Sequence, residues 1–300
     1  MKKKVYIILG PTASGKTAVA IELAKKLNGE IVSADSMQIY KGMDIGTAKP
    51  SIKERQGIPH HLFDIAEPDE AYSVAMFQQA AKACIEDIII RGKVPIVAGG
   101  TGLYLNALTY DLDFTETSQD SAFREELMQK DALILHDMLS KQDAQAAMRI
   151  HPHDKKRIVR RLEILKNEGG AKDYVFRRPN EAYQFIMAGL TTDRAVLYER
   201  INRRVDGMVE QGLVEEVKAL AQTYTNASTS MQAIGYKELL CYLQGNDTLD
   251  DAVEKIKRNS RRYAKRQWIW FKRDDRIVWY DTAAYENNAA AIAQAIIHQQ

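Results

Sequence analysis

No part of this chain constrains its fold as tightly as Gly10-Pro11-Thr12-Ala13-Ser14-Gly15-Lys16-Thr17, which matches the phosphate-loop (P-loop) pattern G-x-x-x-x-G-K-[ST] in full. Its flanks suit the motif. Val5 to Leu9 is an apolar run rich in β-branched and aromatic types and reads as a buried strand. From Thr17 the apolar positions Ala20, Leu23, Ala24 and Leu27 recur at helical spacing until Asn28-Gly29 stops them. A strand that turns through glycines into a helix presents backbone N–H groups and a helix N-terminus to phosphate oxygens. Gly10, Thr12, Ala13, Ser14, Gly15, Lys16 and Thr17 are the candidate cradle, with Lys16 neutralising the anion and Thr17 offering its hydroxyl to Mg2+. The pattern specifies a diphosphate or polyphosphate without saying which.

Two more strands are predicted, Glu30 to Ala34 ending at Asp35 and Val94 to Ala98 ending at Gly99-Gly100-Thr101-Gly102, with a helical run from Val74 to Ile90 between them. Strands alternating with helices imply right-handed crossovers and a parallel sheet covered on both faces, an α/β fold of P-loop NTPase-like type. Ligands of such sheets bind beyond the carboxyl ends of the strands, where the loops after Leu9, Ala34 and Ala98 converge. Asp35 stands there as a metal ligand, a general base or the cap of a turn. After Leu108 the texture changes to an acidic loop and a helical stretch, Phe123 to Lys166, without strand signals. This predicts a helical insertion, residues 113–182, interrupting a core made of 1–112 and 183–300. Tyr183 to Leu190 reads as the strand that rejoins the sheet, followed by helices near 197–208, 236–243 and 251–271 and a last strand at Ile277 to Tyr280.

Formal net charge is only +2, which taken alone argues against a nucleic-acid partner. The charge is segregated, however. Ala252 to Arg273 holds nine Lys/Arg against one Glu and Lys155 to Arg161 holds five against none, so the rest of the chain is net −11. Clusters of this density are the footprint of phosphate-backbone binding, the alternative being solvated helix faces. In the later cluster Lys257, Arg261 and Lys265 form one row, and Arg258, Arg262 and Arg266 the next, with Tyr263, Trp268, Trp270 and Phe271 interleaved. The tryptophans are expected in the core. His60-His61 has no third ligand at metal spacing and reads as structural. Cys84 and Cys241 make no disulfide framework, no apolar run approaches a membrane span, and the charged start at Met1 is followed by too short an apolar stretch for a signal peptide. A cytoplasmic location is expected.

Five blocks together resemble the bacterial tRNA dimethylallyltransferases, also called tRNA isopentenyltransferases. They are the P-loop at 10–17, Asp-Ser-Met-Gln-Ile-Tyr-Lys-Gly-Met-Asp-Ile-Gly-Thr-Ala-Lys-Pro at 35–50, Gly-Gly-Thr-Gly-Leu-Tyr at 99–104, Gln-Ala-Ile-Gly-Tyr-Lys-Glu at 232–238 and Arg-Arg-Tyr-Ala-Lys-Arg-Gln at 261–267. The resemblance implies transfer of a dimethylallyl group from its diphosphate to N6 of adenine 37 in tRNA, with the P-loop and Mg2+ holding the leaving group. By the same resemblance Asp35 is the base, Thr101 lines the same channel, and Arg204, with Arg203 beside it, clamps the diphosphate. Contacts to the anticodon stem-loop are implied for Asp35, Ser36, Met37, Gln38, Thr101, Arg124, Arg157, Arg160, Arg161, Gly235, Tyr236, Lys237, Arg262, Lys265, Arg266 and Gln267. Ile150-His151-Pro152-His153-Asp154 departs from the plainer polar turn usual in the family. A monomer without an obligate protein partner is expected. Competing readings are a P-loop small-molecule kinase, a prenyltransferase acting on free adenylate, and a non-catalytic RNA-binding protein. The basic clusters argue against the first two and the complete P-loop against the last.

Overall fold

The structure, a computed structural model, describes residues 3–112, 121–168, 178–224 and 229–299. These form two compact units, one from residues up to Asp111 and from Pro179 onward, the other from Leu112 to Arg178. The exit of the insertion lies at Pro179 and not at Tyr183. Pro179 bridges to Tyr110, and the Asn180 side chain donates to the Leu108 carbonyl at 2.9 Å, so the returning chain belongs to the core before its strand begins.

The core unit runs β1 (Lys3–Leu9), α1 (Lys16–Leu27), β2 (Gly29–Ser33), β3 (His60–His61), α2 (Val74–Ile90), β4 (Val94–Gly99) and α3 (Gly102–Thr109). The insertion contributes α4 (Ser121–Gln129), α5 (Ala132–Gln142), α6 (Ala144–Arg149) and α7 (Lys155–Glu168), packed around Leu127, Leu135, Leu139, Ile158 and Leu162. The core resumes with β5 (Tyr183–Thr191), α8 (Arg194–Glu210), α9 (Leu213–Thr223), α10 (Tyr236–Leu243), α11 (Leu249–Phe271), β6 (Val278–Asp281) and α12 (Ala289–His298). The six strands are all parallel, in the order β3-β2-β4-β1-β5-β6.

β1 is buried on both faces, as its apolar run demands. Val5, Ile7 and Leu9 pack with Phe77, Ile85 and Ile88 of α2 and with Leu105 and Leu108 of α3. Tyr6 and Ile8 point the other way, onto Val19, Leu23 and Ala24 of α1 and Ile292 and Ile296 of α12. A third core joins Ile39, Tyr40 and Met43, which lie outside any helix or strand, to Val205, Leu213, Val217, Tyr236 and Ile256. Helix starts follow their caps: the Ser73 hydroxyl accepts the Met76 N–H, Asp193 accepts those of Ala195 and Val196, and Thr248 that of Asp251. The short edge strand β3 carries too few residues for any periodic signal, and the sequence does not predict it.

Candidate active site

The turn from β1 into α1 is built for an anion. Gly15 caps α1 with φ 88° and no side-chain cap, which leaves the first N–H groups of the helix free of an internal competitor. Ala13 also holds a left-handed conformation, φ 63°, a local strain typical of functional turns. In the same loop the Ser14 hydroxyl is buried with no hydrogen-bond partner among the described residues. Lys16 folds back so that its ammonium donates to the Pro11 carbonyl at 2.8 Å. Desolvation draws the Lys16 pKa down to about 8, the Arg204 guanidinium adds to the drop, and the Asp35 carboxylate opposes it. Burial likewise lowers Arg204, against the pull of Asp35 and Glu54. Two enclosed cations, Lys16 and Arg204, thus lie within electrostatic reach of Asp35, and Arg204 also of Glu54. Arg204 donates to the Thr12 hydroxyl at 3.3 Å. Arg203 instead points outward to Glu199.

Asp35 follows the last residues of β2, half-buried, and its carboxylate accepts the Met37 N–H at 2.9 Å. Across from it, the Thr101 hydroxyl accepts the Ser36 N–H at 3.0 Å, and the Thr101 N–H donates to the Ala34 carbonyl. The loops after β1, β2 and β4 therefore meet as the sheet topology requires. A cavity of about 800 Å³ opens beside them, with Thr17, Lys49, Glu54, Arg55, Arg203 and Arg204 in its wall. Thr17 is exposed there, a single hydroxyl of the kind Mg2+ uses together with phosphate oxygens and waters. Among the described residues no group of three His, Cys, Asp or Glu side chains gathers as a metal site.

The irregular segment after Asp35 is held by three side chains. Glu216 of α9 accepts the N–H groups of Asp44, Ile45 and Gly46 at 3.0, 2.7 and 3.1 Å. Lys49 is buried and donates to the Tyr40 carbonyl, Asp44 and Asp64. The Gln38 amide donates to the carbonyls of Thr47 and Ala48 while its oxygen accepts from Ser33. Gln38 therefore braces the segment with the amide expected to read a base.

Other predicted RNA contacts also turn inward. Tyr236 is fully buried and donates to Glu216 at 2.6 Å, and the buried Gly235 caps α10, so of that trio only Lys237 is substantially exposed. Arg161 is 12% exposed and paired with Asp143. Gln267 is 6% exposed and bonded at both ends. These contacts are implied by the family resemblance; in the structure the Tyr236, Arg161 and Gln267 side chains each bond a partner within the fold. Arg262, Lys265 and Arg266 are exposed, as are Arg157 and Arg160 of the insertion, while Arg124 is half-buried and shares the buried Glu163 with Arg160. The tryptophans depart from the core expectation: Trp268 and Trp270 are 37% and 38% exposed, and only Phe271 is buried. Both histidines are structural. His61 meets the buried Glu30, which also holds Arg91 and Lys93, and His60 bonds the Ile58 carbonyl.

One site residue went unrecognised in the sequence. Tyr263 contacts Thr101 and Gln267, and its hydroxyl pKa is pushed up to about 12 by burial first and then by the Asp35 carboxylate. Its spacing of four from Gln267, which puts both on one face of α11, is the signal that carried this information.

A parallel sheet that brings a P-loop, the Asp35 carboxylate and the Arg204 guanidinium to one edge defines a P-loop α/β protein. No helix of the described residues is long and apolar enough to cross a membrane. The chain belongs to the IPP transferase family, whose model matches residues 38–274, and a second model, isopentenyl transferase, matches residues 3–66. It is 52% identical to a tRNA dimethylallyltransferase of Carboxydothermus hydrogenoformans over 94% of this chain and 93% of that one. With the Bacillus pumilus tRNA dimethylallyltransferase the identity is 48%, over 93% and 90% of the two chains. Among solved structures, the full-length tRNA isopentenylpyrophosphate transferase of Bacillus halodurans matches with a TM-score of 0.75 at 45% identity, covering 99% of this chain and 96% of that one. A eukaryotic dimethylallyltransferase acting on tRNA matches at 0.80 and 34% identity, covering 93% and 74%.

Proposed function

We propose that this protein transfers the dimethylallyl group of dimethylallyl diphosphate to N6 of adenine 37, beside the anticodon of tRNA, and releases diphosphate. The observation that carries this reading is the convergence of the P-loop, the Asp35 turn and the Thr101 turn at one sheet edge, where Arg204 donates to Thr12 and Thr101 accepts the Ser36 N–H. The N6 lone pair attacks the allylic carbon, the carbon–oxygen bond to diphosphate breaks, and the N6 proton passes to Asp35. An aryl amine is a weak nucleophile, so the base acts as the C–N bond forms. Charge gathers on the departing diphosphate, where Lys16, Arg204 and the loop N–H groups stabilise it. Thr17 and the diphosphate oxygens would hold Mg2+, which supplies further neutralisation of the leaving group. Thr101 sets the position of Ser36 and hence of the Asp35 turn. The base must leave its stack to reach this edge, and the exposed cations of α11 suit the RNA backbone around it.

Labelled dimethylallyl diphosphate incubated with unmodified tRNA is expected to label the tRNA and not AMP, with no phosphoryl transfer from labelled ATP in parallel. Label on AMP alone, or phosphoryl transfer, overturns the proposal. Asp35→Ala is expected to lower the single-turnover rate by about 10²–10⁴-fold while tRNA affinity changes by less than about threefold.

A further inference from the structure

Gln267 lies in the middle of the densest basic run of the chain, yet its side chain turns away from solvent. Its amide oxygen accepts the Thr12 N–H of the P-loop at 2.8 Å, and its amide nitrogen donates to the Gly100 carbonyl at 2.9 Å. The fit at Gly100 is close: a Cβ there would lie 2.3 Å from Gln267 Nε2. One turn earlier on the same face, Tyr263 contacts Thr101 and Gln267. The opposite face of these turns carries Arg258, Arg262 and Lys265, all exposed, and the exposed Arg266 lies at its flank with its guanidinium over the Tyr263 ring. One stiff helix thus presents cations to solvent on one side and ties together the P-loop and the Thr101 turn on the other.

We infer that Gln267 is a positioning residue that couples RNA docking on α11 to the geometry of both substrate loops. The inference rests on the reading of the site as one of tRNA prenyl transfer. RNA phosphates bound to the outer face restrain the helix, the restraint passes through Gln267 to Thr12 and Gly100, and the P-loop is held ready for a diphosphate. A ligand that orders part of the protein lowers the ordering cost of the next one, and such coupling is reciprocal. No side chain lacking either the acceptor or the donor performs both tasks.

The test uses inorganic pyrophosphate and an unmodified anticodon stem-loop with the full chain, in the wild type, Gln267→Met and Gly100→Ala. In the wild type, saturating stem-loop is expected to tighten pyrophosphate binding by about threefold or more. In Gln267→Met that ratio falls to near one, stem-loop affinity stays within about twofold, and kcat with dimethylallyl diphosphate falls by about tenfold or more. Gly100→Ala keeps the amide but displaces its nitrogen, and is expected to reproduce the loss of coupling and of kcat. Thermal melts identify a variant that is merely unfolded, in which case the other one decides. Retention of both the coupling and kcat within about twofold overturns the inference, as does a wild-type ratio of one. So does loss of stem-loop affinity with kcat intact, which makes Gln267 an RNA contact. Failure of the wild type to label tRNA removes the proposed function instead, since the pyrophosphate measurement needs no transfer.

Discussion

In the insertion, Arg124 of α4 and Arg157, Arg160 and Arg161 of α7 meet acids of their own unit, whereas along α11 the outer row stands open to solvent. Arg161 pairs with Asp143, Arg124 and Arg160 share the buried Glu163, and Arg157 reaches Asp154. In α11, Lys255 is engaged with Asp247, Lys257 with Asp206 and Glu254, and Arg261 with Asn202, while Arg258, Arg262 and Lys265 are exposed with no ion pair to a described residue. The two helices look equivalent as runs of Lys and Arg. Their difference lies in where the neutralising acids are: Glu163 lies on α7 itself, Asp154 directly before it and Asp143 at the cap of α6, whereas no acid among the described residues pairs with Arg258, Arg262 or Lys265. A count of cations along a segment therefore overstates what is available to a phosphate backbone whenever the fold supplies acids beneath it.

The largest effect should separate the two helices by stability. Arg161→Met leaves Asp143 buried without its cation, and unfolding free energy is expected to drop by about 3–5 kcal/mol in urea titrations of the insertion signal. Arg262→Met, at the surface, should stay within about 0.5 kcal/mol; equal losses would erase the contrast. Affinity should separate them the other way. Replacing Arg258, Arg262 and Arg266 together by Ala is expected to weaken tRNA binding by about tenfold or more and to flatten the salt dependence by about 0.7–0.9 per lost phosphate contact. Replacing Arg124 and Arg160 should cost less, because Glu163 already neutralises part of their charge; a greater loss there would reverse the comparison.

A smaller effect concerns a third kind of cation, the enclosed Lys16. With its pKa near 8, the free enzyme loses this charge as pH rises from 7 to 9, and pyrophosphate affinity is expected to fall by up to about tenfold across that range. Lys16→Arg should flatten the profile, as followed by isothermal titration. The stability sign is opposite. A lysine lowered from 10.5 to about 8 binds fewer protons folded than unfolded in that interval, so its contribution to stability rises with pH between those values.

Much of the core was legible because its signals are local. The apolar run before Gly10, the periodicity after Thr17 and the run ending at Gly99 each read correctly to within a residue or two. The segment from Asp35 to Pro50 was legible as a site and illegible as a structure. Its N–H groups are taken by Glu216, about 170 positions away, and its core partners Leu213, Val217 and Tyr236 lie equally far along the chain. The RNA contacts implied for Gln38 and Tyr236 come from the family resemblance, while nothing next to them in sequence announces the groups they brace in the fold.

The sequence by itself determined the strand-loop-helix cradle, the carboxylate and threonine on the same sheet edge, and the family of the chain, because these depend on spacings within a few residues or on long motif blocks. Only the tertiary structure decided which charged and polar side chains remain available to a ligand. A buried donor or acceptor must find a partner wherever the fold brings one, and that partner was Asp143 for Arg161 and the P-loop for Gln267.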